Sequence, residues 1–300
     1  MTRIPTRTAH EAMQQAMETN FARLTEAQRQ LATGKRINKV SDAPTDALNA
    51  NRLRNQEKLA DAYVTAANDG SAMLAAQDSA LQSASAILIR VRELAVAGSS
   101  DIESGNGQQA IAAELSGLRD QLVSLANTTH DGRAVFGGFS AAAVQNTGGL
   151  VTWTGDGESI DRRVSSELTV AVNTDGRKVF GFNAGTPAGN DNVFAVINRA
   201  IAAIQNDDAS GARAELANIE ARQADLTNAL GSIGGRVNQI ELARSQAEED
   251  SAAYRTSRSL LEDVDMGAAT VDLKDAEAAY EATLAVVARM QRVSLLDFLQ

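Results

Sequence analysis

His10 and Glu11 stand where the helix of a zinc protease would begin, because a His-Glu pair with a second histidine one turn later puts two ligands and a general base on one helical face. Position 14 is Gln, so the second ligand is missing and the segment reads as a polar helix start. Gly231-Ser232-Ile233-Gly234-Gly235 has the glycine content of a phosphate loop but lacks the Lys-Ser/Thr that would hold the phosphates and a magnesium ion. It reads instead as a tolerated glycine cluster or a local bend in a helix. Gly155-Asp156-Gly157 falls short of a dinucleotide fingerprint and reads as a hairpin turn. The carboxylate runs Glu248-Glu249-Asp250 and Glu262-Asp263, with Asp265 beyond, have the residue types for metal binding or acid–base work. With no histidine beside them and helical spacing throughout, they read as a solvated charged face. Met13, Met17 and Met290 lie at heptad-like positions and read as core filling. With no cysteine and only His10 and His130, no catalytic constellation is expected, and no cofactor or metal; the chain is not expected to be an enzyme.

The charge balance narrows the partners. Twenty-eight basic against 38 acidic residues give a net charge of -10, with a pI near 4.8. Phosphate neutralisation needs the opposite excess, so nucleic acid is excluded, and an anionic membrane surface is disfavoured. No run of 18 apolar residues occurs, and MTRIPTRTAH has no apolar stretch of the secretory kind. Neither membrane insertion nor a conventional cleavable signal is expected.

The elements that carry these residues are long helices with a seven-residue repeat. The 3-4 spacing runs through Leu216, Ile219, Gln223, Leu226, Leu230, Ile233, Val237, Ile240, Arg244, Ala247, Ser251, Tyr254, Arg258 and Leu261 without losing register. A second seam joins Leu74, Leu81, Leu88 and Ala95, with Ala84 and Val91 between, and a third joins Ile111, Leu115, Leu118, Leu122 and Leu125. A weaker one runs through Met13, Met17, Asn20, Leu24, Ala27 and Leu31. Gly34 suits a helix C-terminus, and Ser41 or Asp42 is expected to cap a helix that has Pro44 in its first turn. Half of the 22 glycines fall between Gly132 and Gly189. There LVTWT, ESIDRRVS, ELTVAVN and KVFGF read as short strands joined by Gly/Asp turns. Helix resumes near Phe194. A helix from Leu216 to Leu261 would span roughly 70 Å, longer than a compact globule of this size, so a rod-like molecule is expected.

Four stretches carry a family resemblance: LATGKRINKVSDAPTDALNANRLRNQ (31–56), ILIRVRELAVAG (87–98), ELSGLRDQLVSLANTTHDGRAVFGGF (114–139) and the final VSLLDFLQ. Together they resemble the flagellin-family axial proteins over essentially the whole chain. Ser41-Asp42-Ala43-Pro44 and the ending Leu295-Leu296-Asp297-Phe298-Leu299 are similar to the members that join the hook to the filament. The resemblance implies a structural role at that junction, export as an unfolded chain by the type III route with a cytosolic chaperone, and an extracellular location in the bacterial flagellum. It implies as partners other copies of the chain, an adjacent hook-associated protein and flagellin. A flagellin forming the filament itself, or a secreted coiled-coil binding module, are the alternative readings.

The fold expected is mainly α with an inserted β domain, an elongated coiled-coil-like bundle of N- and C-terminal helices. Residues 1–130 and 196–300 are expected to form a discontinuous helical assembly domain, with 1–40 and 270–300 as its inner part and 131–195 as a β-rich outer domain. The subunit-interaction residues expected are Met13, Met17, Leu24 and Leu31 at one end and Tyr280, Leu284, Val287, Leu295, Leu296, Phe298 and Leu299 at the other. The resemblance adds Arg90, Arg92 and Glu93, which it implies lie on a surface used for subunit contacts.

Overall fold

The computed structural model describes residues 6–99, 105–182 and 191–298, with side chains over 11–99, 106–182 and 191–289. The order is α1 (Thr6–Thr33), α2 (Pro44–Gly98), α3 (Gly105–Ala126), β1 (Thr129–His130), β2 (Arg133–Ala134), β3 (Val144–Thr147), β4 (Leu150–Trp153), β5 (Asp161–Arg163), β6 (Thr169–Ala171), α4 (Gly176–Phe180), α5 (Val193–Gln205), α6 (Ala209–Glu262) and α7 (Met266–Phe298). Long helices thus lie on either side of a small β segment. The chain forms two compact units: a central one, Ala60–Glu249, and a terminal one made of Met1–Leu59 and Asp250–Gln300. Helices α2 and α6 contribute residues to both.

The central unit owns the hydrophobic core. Along α6, Ile219, Leu226, Ile233 and Ile240 are buried at every seventh position, and along α2 so are Ala67, Leu74, Leu81, Leu88 and Ala95. A heptad keeps one stripe of a helix facing its partner, so these two stripes meet each other and Leu115 and Leu122 of α3. Gly231, Gly234 and Gly235 do not interrupt α6, and a Cβ at any of them would meet open space.

The β segment has no core of its own. Its three antiparallel pairs, β1–β2, β3–β4 and β5–β6, are each two-stranded and two to four residues long, too small to stand without outside burial. Val144, Val151, Ile160, Val164 and Val170 therefore enter the same core as the helices. An aromatic chain ties the layers, with Phe136 edge-on to Phe180 at 5.4 Å, and Phe182 between Trp153 at 5.7 Å and Phe194 at 6.0 Å. The compact units part at 59/60 and 249/250.

Local details differ from the sequence pattern in three places. The β3–β4 turn is Gly148-Gly149, both with positive φ (62° and 94°) as a two-residue hairpin loop of the primed type requires. Gly155-Asp156-Gly157 is instead a loop tie, Asp156 accepting from the Phe139 backbone N–H at 3.0 Å and from that of Glu158 at 2.9 Å. KVFGF is not a strand: Asp175 caps the short helix α4, and Gly181 closes it in the left-handed conformation.

Candidate subunit-interaction surface

The terminal unit is built from both ends of the chain. Helix α1 ends at Gly34, whose φ of 68° and N–H bond to the Gln30 carbonyl (2.9 Å) give the left-handed cap expected there. Pro44 opens α2, but Asp42 does not cap it. Its carboxylate turns back into the connection, accepting from the Lys39 N–H at 2.8 Å and the Asn38 N–H at 3.1 Å. Those bonds, the Lys39 one foremost, hold its pKa below the usual value against partial burial. On the opposite strand of the chain α6 stops at Glu262, and Asp265 starts α7 by accepting from the Gly267 and Ala268 N–H groups. The two interruptions are paired. Arg36 N–H donates to the Glu262 carbonyl (2.7 Å), Val264 N–H donates to the Gly34 carbonyl (3.0 Å), and Lys35 and Asp263 form an antiparallel bridge.

What fills the seam here is charge. Glu262, only 5% exposed, accepts from Lys35 Nζ at 3.0 Å, from Arg258 at 3.4 Å and from Arg54. Glu57, 8% exposed, takes Arg255 and Arg258, each at 3.0 Å. Burial pushes the Glu262 carboxyl upward, and the hydrogen bond and charge of Lys35, with those of Arg54 and Arg258, more than reverse it, so its pKa lies below the ordinary glutamate value. Glu262 is therefore not part of a solvated face. Its environment was open to inference, because it adjoins the seam position Leu261, and Arg258 precedes it by one turn.

Among the described residues, the only buried apolar side chains of the terminal unit are Ala27, Ala50, Ala269 and Ala276. Four methyl groups contribute roughly 3 kcal/mol between them at about 0.8 kcal/mol each. Helices α1 and α7 pack together around Ala27 and Ala276, with Phe21 against Tyr280 at 5.8 Å and Asn20 donating to Thr283 Oγ1 at 2.7 Å. Met13, Met17, Leu24 and Leu31 are each half-buried, as are Tyr280 and Val287, while Leu284 is 41% exposed. Leu295, Leu296 and Phe298 belong to α7, but their side chains lie outside the described residues, as do the side chain of Met290 and the whole of Leu299. Large apolar groups face outward elsewhere in this unit: Val40, Leu48 (68% exposed), Leu260, Met266, Val271 and Val286.

Arg90, Arg92 and Glu93 belong to the central unit and have partners within the chain. Arg90 reaches Glu114 of α3 at 2.8 Å and Glu93 at 3.1 Å, and Arg92 reaches Glu220 of α6 at 2.9 Å. All are well exposed, so each pair adds little stability. Ile89 and Val96 flank them on the same outward face of α2. No group of three or more His, Cys, Asp or Glu among the described residues could hold a metal ion, and no described helix is long and apolar enough to cross a membrane.

The model of the bacterial flagellin N-terminal helical region matches residues 4–141, and that of the C-terminal helical region matches residues 216–299. The chain belongs to the bacterial flagellin family. Among curated relatives, flagellar hook-associated protein 3 of Salmonella typhimurium is 25% identical over 315 residues, covering 98% of this chain and 98% of that one. The protein of the same name from Escherichia coli is 25% identical over 284 residues, 89% of this chain and 90% of that one. The crystal structure of Xanthomonas campestris FlgL shares the fold, with a TM-score of 0.60 and 20% identity over 67% of this chain and 97% of that one. The family's two helical regions coincide with the segments that build α1 to α3 and α6 to α7, so the β segment lies largely between them.

Proposed function

We propose that this chain is a structural subunit of the bacterial flagellum that joins hook to filament and acts by helix packing between copies, without catalysis. The observation that carries this reading is the contrast between the units. The central unit has a continuous buried core, whereas the described part of the terminal unit buries four alanines, two glutamates and a serine and exposes leucine, valine and methionine. Helices with so little burial are marginal alone. Neighbouring subunits supply the missing cover, so ordering the chain ends and joining the assembly are one event. Relatives that cover nine-tenths or more of their own length and carry the hook-associated name favour the junction over the filament.

On this reading the partners are other copies, an adjacent hook-associated protein and flagellin. The chain leaves the cell unfolded through the type III route with a cytosolic chaperone, and works outside it. Residues 131–195 face outward, and 1–40 with 270–300 lie inward. The half-buried Met13, Met17, Leu24 and Leu31, with Tyr280 and Val287, and the more exposed Leu284 meet neighbours on their open sides, and the same role is assigned to Leu295, Leu296, Phe298 and Leu299, whose side chains lie outside the described residues. Deleting the gene tests the role: hooks without filaments and flagellin monomers in the medium are expected, restored by the full-length gene. Normal filaments in the deletion strain overturn the reading, and long filaments grown from the purified chain alone favour flagellin instead.

A further inference from the structure

Within the central unit, the β segment and helix α6 leave between them an open cavity of about 450 Å3. At roughly 30 Å3 per water molecule that is room for about fifteen waters, and it falls in the size range of small-molecule sites. Its apolar lining is limited to Ala171, Val179 and Ala229, and no aromatic ring lines it. A ligand held there is held by polar groups.

The half-buried Arg236 of α6 forms part of the wall. Its Nη1 donates to the Asn173 carbonyl at 2.6 Å and to that of Ala171 at 3.2 Å, and its Nη2 donates to Ser232 Oγ at 2.9 Å and to Thr174 Oγ1 at 3.2 Å. All four acceptors are neutral. Among the described residues no carboxylate pairs with this guanidinium, and burial alone acts on its pKa, lowering it; Arg177 and Arg199, beside Asp175 and Glu215, are raised instead. The carbonyl bonds tie β6 to α6, yet they leave a partly desolvated charge without a counter-ion, and buried charges are ordinarily paired.

The other charges around the cavity do not supply that counter-ion. Asp175 accepts from the Arg177 N–H at 3.0 Å and its Nε at 3.2 Å, and Asp225 pairs with Arg222 at 3.0 Å. The exposed Lys178 ammonium, the Asn228 amide and the Glu158 carboxylate have no side-chain partner among the described residues. Ser232 and Thr174 accept from the guanidinium, so each still has its O–H to donate. The Arg236 Nε–H is neither donated within the chain nor shut off from solvent. Two cations, two hydroxyl donors and an amide therefore surround one free carboxylate.

We propose that this cavity binds a small hydroxylated carboxylate of the hexuronic acid class. The ligand carboxylate takes the side of Arg236, Ser232 and Thr174, completing the missing ion pair, and its hydroxyls meet Asn228, Lys178 and Glu158. An apolar molecule finds no matching surface there, and a neutral sugar leaves the guanidinium uncompensated. Binding is a property of the single chain and does not require association of copies.

The test follows the backbone amide signals of the isotope-labelled full-length chain by NMR during titration with glucuronate at matched ionic strength. Saturable shifts are expected in residues 157–159, 173–178 and 225–236, with the α2 core around Leu81 unmoved. Glucose, which lacks the carboxylate, and acetate, which lacks the hydroxyls, should each bind at least tenfold more weakly. Arg236→Gln should weaken glucuronate at least tenfold, and its thermal unfolding is checked first because Arg236 also ties β6 to α6. Asn228→Asp keeps the test open should that variant misfold: the residue is exposed and unpartnered, and the added negative charge should weaken glucuronate at least tenfold with thermal unfolding unchanged. Glucose as tight as glucuronate overturns the role of Arg236, and acetate as tight overturns the hydroxylated class. No saturable shift with glucuronate, or wild-type affinity in Asn228→Asp, overturns the site.

Discussion

Replacing Glu262 by Gln keeps the shape of the side chain and one acceptor oxygen but leaves Lys35, Arg54 and Arg258 converging on a neutral group. Removing one partner of a fully buried ion pair costs about 3–5 kcal/mol, because the remaining charge stays desolvated. Here Glu262 is buried, but Lys35 and Arg54 keep 40% and 41% of their side chains exposed, and solvent screens them. The amide oxygen also retains part of the hydrogen bonding. About 2 kcal/mol is therefore expected, confined to the terminal unit because the buried core cluster lies wholly in the central one. For a unit of roughly one hundred residues that is a fall of about 8 °C in its own transition. Differential scanning calorimetry of the assembled full-length chain should show the lower transition move while the upper one stays. The pH dependence has a definite sign. The folded Glu262 carboxyl lies below its unfolded value, so its contribution is complete above about pH 4.3 and is lost as pH falls through the lower folded value. Wild type should lose the terminal transition in that acid window, and Glu262→Gln should be flatter there. An unchanged lower transition in the variant, or equal shifts of both, would refute the role given to this network.

Three further substitutions separate core, close approach and surface. Leu226→Ala removes a side chain that is 2% exposed in the α6 stripe and should cost about 2–5 kcal/mol, read as a fall in the upper calorimetric transition. Gly98→Val would press a Cβ within 2.7 Å of Ile204 Cδ1 and should destabilise the central unit by about 1–3 kcal/mol despite the better helix former, measured by urea unfolding. Arg92→Glu breaks an exposed pair with Glu220 and should shift monomer stability by no more than about 1 kcal/mol; if motility and assembly are also untouched, the contact role of that face falls.

The seams were legible because heptad spacing is a long, redundant signal: Ile219, Leu226, Ile233 and Ile240 each repeat the same message, and each is buried. The β segment was legible only as a change of material. In KVFGF the alternation of apolar residues suits a strand, but Asp175 ahead and Gly181 behind supply helix caps that decide the matter locally. Asp42 had the residue type and position of an N-cap, and tertiary pairing of the two helix interruptions turned it to Lys39 and Asn38 instead. The shared core of helices and hairpins could not be read at all, since strands of two to four residues leave no periodicity that says which helix covers them. The buried glutamates were hidden by composition: Glu262 sits in an acidic run with Asp263 and Asp265, and only the convergence of cations from residues 35, 54 and 258 shows that it faces inward.

The dependence of the terminal unit on its neighbours is tested most directly by amide hydrogen exchange on the full-length chain, first as dilute monomer and then in the assembled state. In the monomer α1 and α7 should exchange orders of magnitude faster than the buried stretches of α2 and α6 around Leu81 and Leu226, and assembly should bring them to comparable protection. Protection of α1 and α7 in the monomer equal to that of the central core, unchanged on assembly, would contradict the reading that neighbouring subunits complete this unit.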